Sequence, residues 1–151
     1  MKARILTGAL CLAMGLMTGA AHAEWLIQPD EARAPDAPAS LRLPMSLVSN
    51  GPRITVHKPE LLNQVRSPVD ILVTFAPSES GAKPDLSTLR VHLLKFINID
   101  ITDRMKKYIK GDRLDVTGAE VPTGNHRLRV TVADVTGQEN QREFRLVIRE
   151  E

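Results

Sequence analysis

The chain has 151 residues, with 20 basic and 18 acidic side chains, one cysteine and few aromatic residues. This length permits one domain with a continuous core and a terminal segment, and one cysteine excludes an internal disulfide. The near balance of charge and the few aromatic side chains argue against nucleic acid as a partner.

Residues 1–23 have the pattern of a signal peptide. A basic start, MKAR, precedes the apolar run ILTGALCLAMGLMTGA and the small-residue sequence AHA, which ends before Glu24. The apolar run is too short for a membrane helix, which needs about 20 apolar residues. Cys11 follows Leu10, where a lipoprotein signal would have a small residue. We therefore expect cleavage before Glu24 and a periplasmic or secreted protein with no integral membrane segment after cleavage.

Cleavage changes the charge and the chemistry that the chain can offer. Lys2 and Arg4 leave with the signal peptide, so 18 basic and 18 acidic residues remain, and no cysteine. A thiolate metal site and a cysteine nucleophile are thereby excluded. Any electrostatic preference must come from how the charges are arranged.

Residues 24–52 form a segment rich in proline and alanine, which predicts an extended, weakly ordered conformation. Five of the ten prolines fall in it. Trp25, the only tryptophan, is interpreted as an anchor on the domain, with docking to a partner as the alternative. The sequence leaves open whether the segment folds back on the domain.

From residue 53 to residue 151, apolar residues alternate with polar residues, as in strands that bury one side. Such strands need a second apolar sheet to cover them, so we expect an all-β sandwich of two antiparallel sheets with about seven strands. The predicted core positions are Ile54, Val56, Val69, Ile71, Val73, Phe75, Leu89, Val91, Leu93, Leu114, Val116, Leu128, Val130, Val132, Phe144, Leu146 and Ile148.

One segment, NIDITDRMKKYIKGD, departs from the strand pattern. Ile101, Met105, Tyr108 and Ile109 recur at helical spacing, and Gly111 follows them. Asp100 or Thr102 can cap the start, which predicts one short helix or helical turn. The lysines of this segment are interpreted as a solvated face, with an anion or membrane contact as the alternative.

Two stretches of the chain resemble bacterial immunoglobulin-like (cadherin-like) domains. They are SPVDILVTFAPSESGAKPDLSTLRVHLLKFINIDIT and VPTGNHRLRVTVADVTGQENQREFRLVI. The shared features are a strand ending in Phe-x-Pro, a Pro-x-Gly-x-His turn, and a strand that closes in Asp-x-x-Gly. The resemblance implies an immunoglobulin-like sandwich and roles in adhesion, as a spacer, or as a periplasmic partner in an assembly. The inter-sheet cysteine pair and core tryptophan of antibody domains are missing.

No catalytic or metal-binding motif is present, which predicts a protein that is not an enzyme and needs no cofactor. There is no nucleophile elbow, P-loop or dinucleotide fingerprint. His57, His92 and His126 are isolated in the sequence and are interpreted as surface histidines, with weak metal binding by a spatial cluster as the alternative. The aspartates have turn or capping explanations and form no calcium-binding run.

A basic face is predicted from the immunoglobulin-like arrangement, in which the strands near Thr88, His126 and Gln141 are neighbours. The opposite sheet, with Asp70 and Asp115, would then be the more acidic one. The alternative is that the arginines on the outward side of these strands pair with glutamates such as Glu143. The candidate binding residues are Arg90, His92, Arg127, Arg129, Arg145 and Arg149.

These patterns together predict an exported, non-enzymatic immunoglobulin-like module that binds an envelope protein or an anionic envelope component. The alternative is an accessory domain that binds an acidic glycan or a metal ion without catalysis. We do not expect nucleic acid as a partner, and the sequence does not specify the oligomeric state.

Overall fold

The computed structural model describes residues 24–38, 49–60 and 63–150. The predicted signal peptide, residues 39–48 of the proline-rich segment and Glu151 lie outside the described residues. In the described parts, a sheet of four strands and a sheet of five strands pack their apolar sides together. The prediction of an all-β sandwich is confirmed.

The sandwich contains nine strands and two short helices in the described ranges, and three of the strands have only two residues. One sheet has the order β1-β3-β7-β6 and the other has the order β2-β9-β8-β4-β5. All strand pairs are antiparallel except β2 with β9. The elements are α1 (Pro29–Arg33), β1 (Arg53–Lys58), β2 (Gln64–Val65), β3 (Val69–Ala76), β4 (Pro84–Leu93), β5 (Ile99–Asp100), α2 (Thr102–Lys106), β6 (Ile109–Lys110), β7 (Arg113–Ala119), β8 (Gly124–Asp134) and β9 (Glu139–Ile148).

The alternating residues form the core because successive side chains of a strand point to opposite sides of its sheet. All seventeen predicted core positions lie in the sandwich core, with Val56 only partly buried. Each fully buried aliphatic or aromatic side chain contributes about 1.5–3 kcal/mol. Alternation in the sequence therefore identifies which side of every long strand is covered.

Residues 24–38 fold back on the sandwich, which answers what the sequence left open. Leu26 and Ile27 are buried in the core, and the Leu26 N–H donates to the Glu120 carbonyl oxygen at 2.9 Å. Trp25 forms a parallel bridge with Glu120 but remains 39% exposed. The interpretation of Trp25 as a buried anchor was therefore wrong, because its two apolar neighbours fill that role.

The helix α2 is shorter than the spacing of apolar residues indicates. It ends at Lys106, and Ile109 pairs with Leu114 in the sheet instead of continuing the helix. Gly111 has a φ of 61°, which lets the chain turn back into β7. Asp100 does support the helix start, because its Oδ1 accepts the Thr102 N–H at 2.8 Å.

The two ends of the sandwich carry different connections. The hairpin between β8 and β9 turns where predicted: Asp134 Oδ1 accepts the Thr136 N–H at 2.9 Å, and Gly137 has a φ of 85°. We call this the β8–β9 end. The opposite, β4–β5 end holds the connections 94–98 and 120–123, and there the Leu94 N–H donates to the Arg127 carbonyl oxygen at 2.8 Å.

Candidate binding face

Five of the six candidate residues share the outward side of the five-stranded sheet. His92 of β4 is opposite Arg129 of β8, and Arg127 of β8 is opposite Arg145 of β9. Arg90 lies two residues before His92 and therefore on the same side. We call Arg90, His92, Arg127, Arg129 and Arg145 the basic face. The sixth candidate, Arg149, follows the end of β9, and its N–H donates to the Val65 carbonyl oxygen at 3.0 Å.

Glu143 holds two arginines of the basic face in place. Its Oε2 accepts from Arg127 Nη2 at 2.9 Å, and its Oε1 accepts from Arg129 Nε at 3.0 Å and Nη2 at 2.6 Å. Burial by itself would raise the pKa of the Glu143 carboxyl, but the hydrogen bonds from Arg129 and Arg127 outweigh it and lower the pKa. One carboxylate therefore orders two guanidinium groups, and this part of the face carries a net positive charge.

Arg90 and Arg145 are the exposed cations of the basic face. Within residues 24–38, 49–60 and 63–150, neither has a carboxylate at salt-bridge distance. Arg145 stands directly across from Arg127, and two like charges in such a pair destabilise a sheet by roughly 0.2–1 kcal/mol. Among the described residues of the basic face, pairing with a glutamate is seen for Arg127 and Arg129, which share the one carboxylate of Glu143.

Asp100 is an acidic residue at the margin of the basic face, across from His92. Its pKa is lowered first by hydrogen bonds from Thr102 and then by the charges of His92 and Arg90. The sequence indicated Asp100 only as a helix cap. Its position beside His92 depends on the β4–β5 pairing, which has two residue pairs and no signal in the alternation pattern.

The opposite sheet is not the acidic face that the sequence suggested. Asp70 pairs with Lys58 at 3.6 Å and Asp115 pairs with Lys110 at 3.2 Å. The exposed Arg53 lies opposite Ala76 on this side of the sheet. The two carboxylates are thus matched by cations from neighbouring strands, whose pairing the sequence does not give.

The three histidines lie in different surroundings. His57 Nε2 lies 2.8 Å from Thr74 Oγ1 on the four-stranded sheet, and His92 is on the basic face. The interpretation of His126 as a surface residue was wrong: it is 2% exposed, its Nε2 lies 2.7 Å from the Pro122 carbonyl oxygen, and burial lowers its pKa. Among the residues that the structure describes, no group of three or more histidine, cysteine or acidic side chains is placed to hold a metal ion.

A buried lysine at the β4–β5 end fixes the N-terminal segment, which sequence reasoning missed. Lys95 is 4% exposed, and its Nζ donates to the Ala32 carbonyl oxygen at 3.0 Å and to Asp36 Oδ1 at 2.8 Å. A second tie joins α1 to α2, where Arg104 makes two hydrogen bonds of 2.6 Å to the Glu31 carboxylate. The Arg104 hydrogen bond lowers the pKa of Glu31, and Glu31 in turn raises that of Arg104.

An open cleft of about 490 Å³ lies between the sheets at the β8–β9 end. Apolar side chains from Phe75, Pro84, Leu86 and Val135 line most of it. Its charged lining residues are Lys83, Asp85 and Asp112, of which Asp85 accepts hydrogen bonds from Ser87. The cleft lies at the end opposite the 94–98 connection.

No helix in the described parts of the chain is long and apolar enough to cross a membrane. No protein-family model matches the chain, and neither a curated protein nor a solved structure was found to be similar to it. The geometry of the basic face is therefore the main guide to function.

Proposed function

We propose that the protein is an exported, non-enzymatic immunoglobulin-like module whose basic face binds an anionic component of the bacterial envelope. The signal-peptide pattern supports export, and the strand and turn motifs support the immunoglobulin-like assignment. The observation that carries the proposal is the placement of four arginines on three adjacent strands, with two of them ordered by Glu143.

The arrangement suits recognition of carboxylate or phosphate groups. A guanidinium offers hydrogen-bond donors in a planar fork that matches both groups, and an ordered side chain loses less conformational entropy on binding. Arg127 and Arg129 are already held by Glu143, while Arg90 and Arg145 are exposed. The face thus combines positioned donors with exposed charge.

Capture from envelope extract tests the proposal. The double variant Arg90→Glu, Arg145→Glu removes the exposed charge without breaking the Glu143 contacts. Arg53→Glu, Arg113→Glu is the matched control, since it makes the same change in net charge on the opposite sheet. We expect the first variant to lose components that wild type and the control retain. Capture of the same components by all three proteins would overturn the proposal.

A further inference from the structure

The β4–β5 end exposes large apolar side chains next to the basic face. Phe96 is 61% exposed and Ile97 is 77% exposed, both in the connection between β4 and β5. We call these two residues the apolar tip. Trp25, bridged to Glu120, is at the same end, whereas Val135, 68% exposed, is at the opposite end. Adjacent exposed apolar residues of this size mark a site of interaction with another protein or with a membrane.

Two arginines of the basic face lie on the strands at the base of the apolar tip, whereas Lys95, the cation next to Phe96, is buried and paired with Asp36. Leu94, two residues before Phe96, donates its N–H to the Arg127 carbonyl oxygen, and Arg145 is opposite Arg127. Arg90 of β4 is four residues before Leu94, which places it about 13 Å from Leu94 along the strand, in the direction away from the tip. The arginines of the basic face therefore begin at the level of Leu94 and continue away from the tip along the sheet, with the exposed carboxylate of Asp100 at their margin.

An apolar tip with arginines at its base has the chemistry of a protein that binds an anionic bilayer. Transfer of phenylalanine and isoleucine from water to the region between headgroups and acyl chains is favourable, and arginines are attracted to anionic headgroups. The tip consists of two side chains on a short connection, while a stable protein interface buries about 800 Å² on each partner, more than two side chains provide. A bilayer needs no complementary shape.

From this we infer that the anionic component is a phospholipid bilayer, which the apolar tip enters while Arg127 and Arg145 contact the headgroups. The inference rests on the proposed function and narrows it to a partner of one class. It also gives the tip a role that the basic face alone does not explain.

Flotation with lipid vesicles tests the inference. The protein is recovered from the periplasm of an expressing bacterium, and its N-terminus is determined by mass spectrometry. We expect it to float with vesicles of phosphatidylcholine and phosphatidylglycerol and not with phosphatidylcholine alone. The double variant Phe96→Ser, Ile97→Ser should bind at least about tenfold more weakly, because it loses most of the apolar surface that enters the bilayer. Val135→Ser is the matched control and should bind like wild type.

Two arginine variants test the orientation. Arg145→Glu, close to the tip, should weaken vesicle binding by about fivefold or more, and Arg90→Glu should weaken it less. With soluble heparin as the probe, the two variants should be affected alike, and Phe96→Ser, Ile97→Ser should bind like wild type. Circular dichroism and urea unfolding confirm that each variant is folded.

The possible failures are distinguishable. Equal flotation of wild type and the tip variant would overturn the bilayer inference, as would no flotation of wild type. If the tip variant instead lost an envelope protein while wild type failed to float, the partner would be a protein. If the arginine variants bound heparin like wild type, the proposed function itself would fail.

Discussion

Replacing Glu143 with glutamine should reduce stability and strengthen anion binding at the same time. The substitution keeps the shape of the side chain but removes the charge that three hydrogen bonds from Arg127 and Arg129 share. The Glu143 side chain is 18% exposed and each arginine side chain is 23% exposed, so water screens the pairs only partly. Exposed ion pairs contribute about 0.2–1 kcal/mol each, and two partly buried ones together about 1–2 kcal/mol.

Urea unfolding measures the loss of stability. With a slope of about 2 kcal/mol per molar urea, the middle of the usual range, the midpoint should fall by roughly 0.5–1 M. The pKa of Glu143 is lower in the folded protein than its value of 4.5 in the unfolded chain. Its contribution to the free energy of unfolding is therefore present above pH 4.5 and is lost as pH falls through the folded pKa. The difference between wild type and Glu143→Gln should therefore disappear in acid.

Heparin chromatography measures the gain in binding. Without the negative charge of Glu143, the charges of Arg127 and Arg129 are no longer offset, so the variant should stay on the column to a higher salt concentration than wild type. Glu139→Gln is the matched control because Glu139 is an exposed acid on the same strand, and it makes the same change in net charge. A stability equal to wild type, or elution together with Glu139→Gln, would refute the role of Glu143 in holding the two arginines.

Three further predictions concern the fold. Ile27→Ala should lower the free energy of unfolding by about 2–5 kcal/mol because Ile27 is fully buried, and an unchanged urea midpoint would show that the N-terminal segment does not dock in solution. Burial lowers the pKa of His126 below its usual 6.5, so the unfolded chain binds more protons than the folded chain and wild type should lose stability as pH falls from about 6.5. In urea titrations at several pH values, His126→Leu should lose less stability over this range than wild type. An equally steep loss in the variant would contradict the prediction. Gly137→Ala should cost about 1 kcal/mol because of its positive φ, and thermal unfolding like that of wild type would argue against this turn.

The long strands and their core side could be predicted from the sequence because alternation depends only on local order. Phe75 and Leu128 point to the core side of their strands and are buried, whereas the residues before and after each of them point to the outward side. The two-residue strands β2, β5 and β6 could not be predicted, since a pair of residues carries no period. Helix α2 was predicted too long because Ile109, which has helical spacing in the sequence, pairs with Leu114 in the sheet instead of continuing the helix.

The basic face could be predicted in composition but not in its internal contacts. Arg127 and Arg129 are two residues apart on one strand, so the sequence alone predicts that they point to the same side. Their contact with Glu143, by contrast, depends on the register between β8 and β9. His126 shares the core side of β8 with Leu128 and Val130, so alternation could have identified its burial. The burial of Lys95 at the β4–β5 end, by contrast, depends on the folded-back N-terminal segment. Long-range packing of this kind leaves no local mark in a sequence.

The salt concentration that elutes two double variants from heparin tests the central claim most directly. Arg90→Glu, Arg145→Glu and Arg53→Glu, Arg113→Glu have the same net charge and differ only in which sheet is changed. If the basic face binds anions, the first variant should elute at much lower salt than the second, and the second should elute close to wild type. Elution of both variants at the same salt concentration would contradict the account.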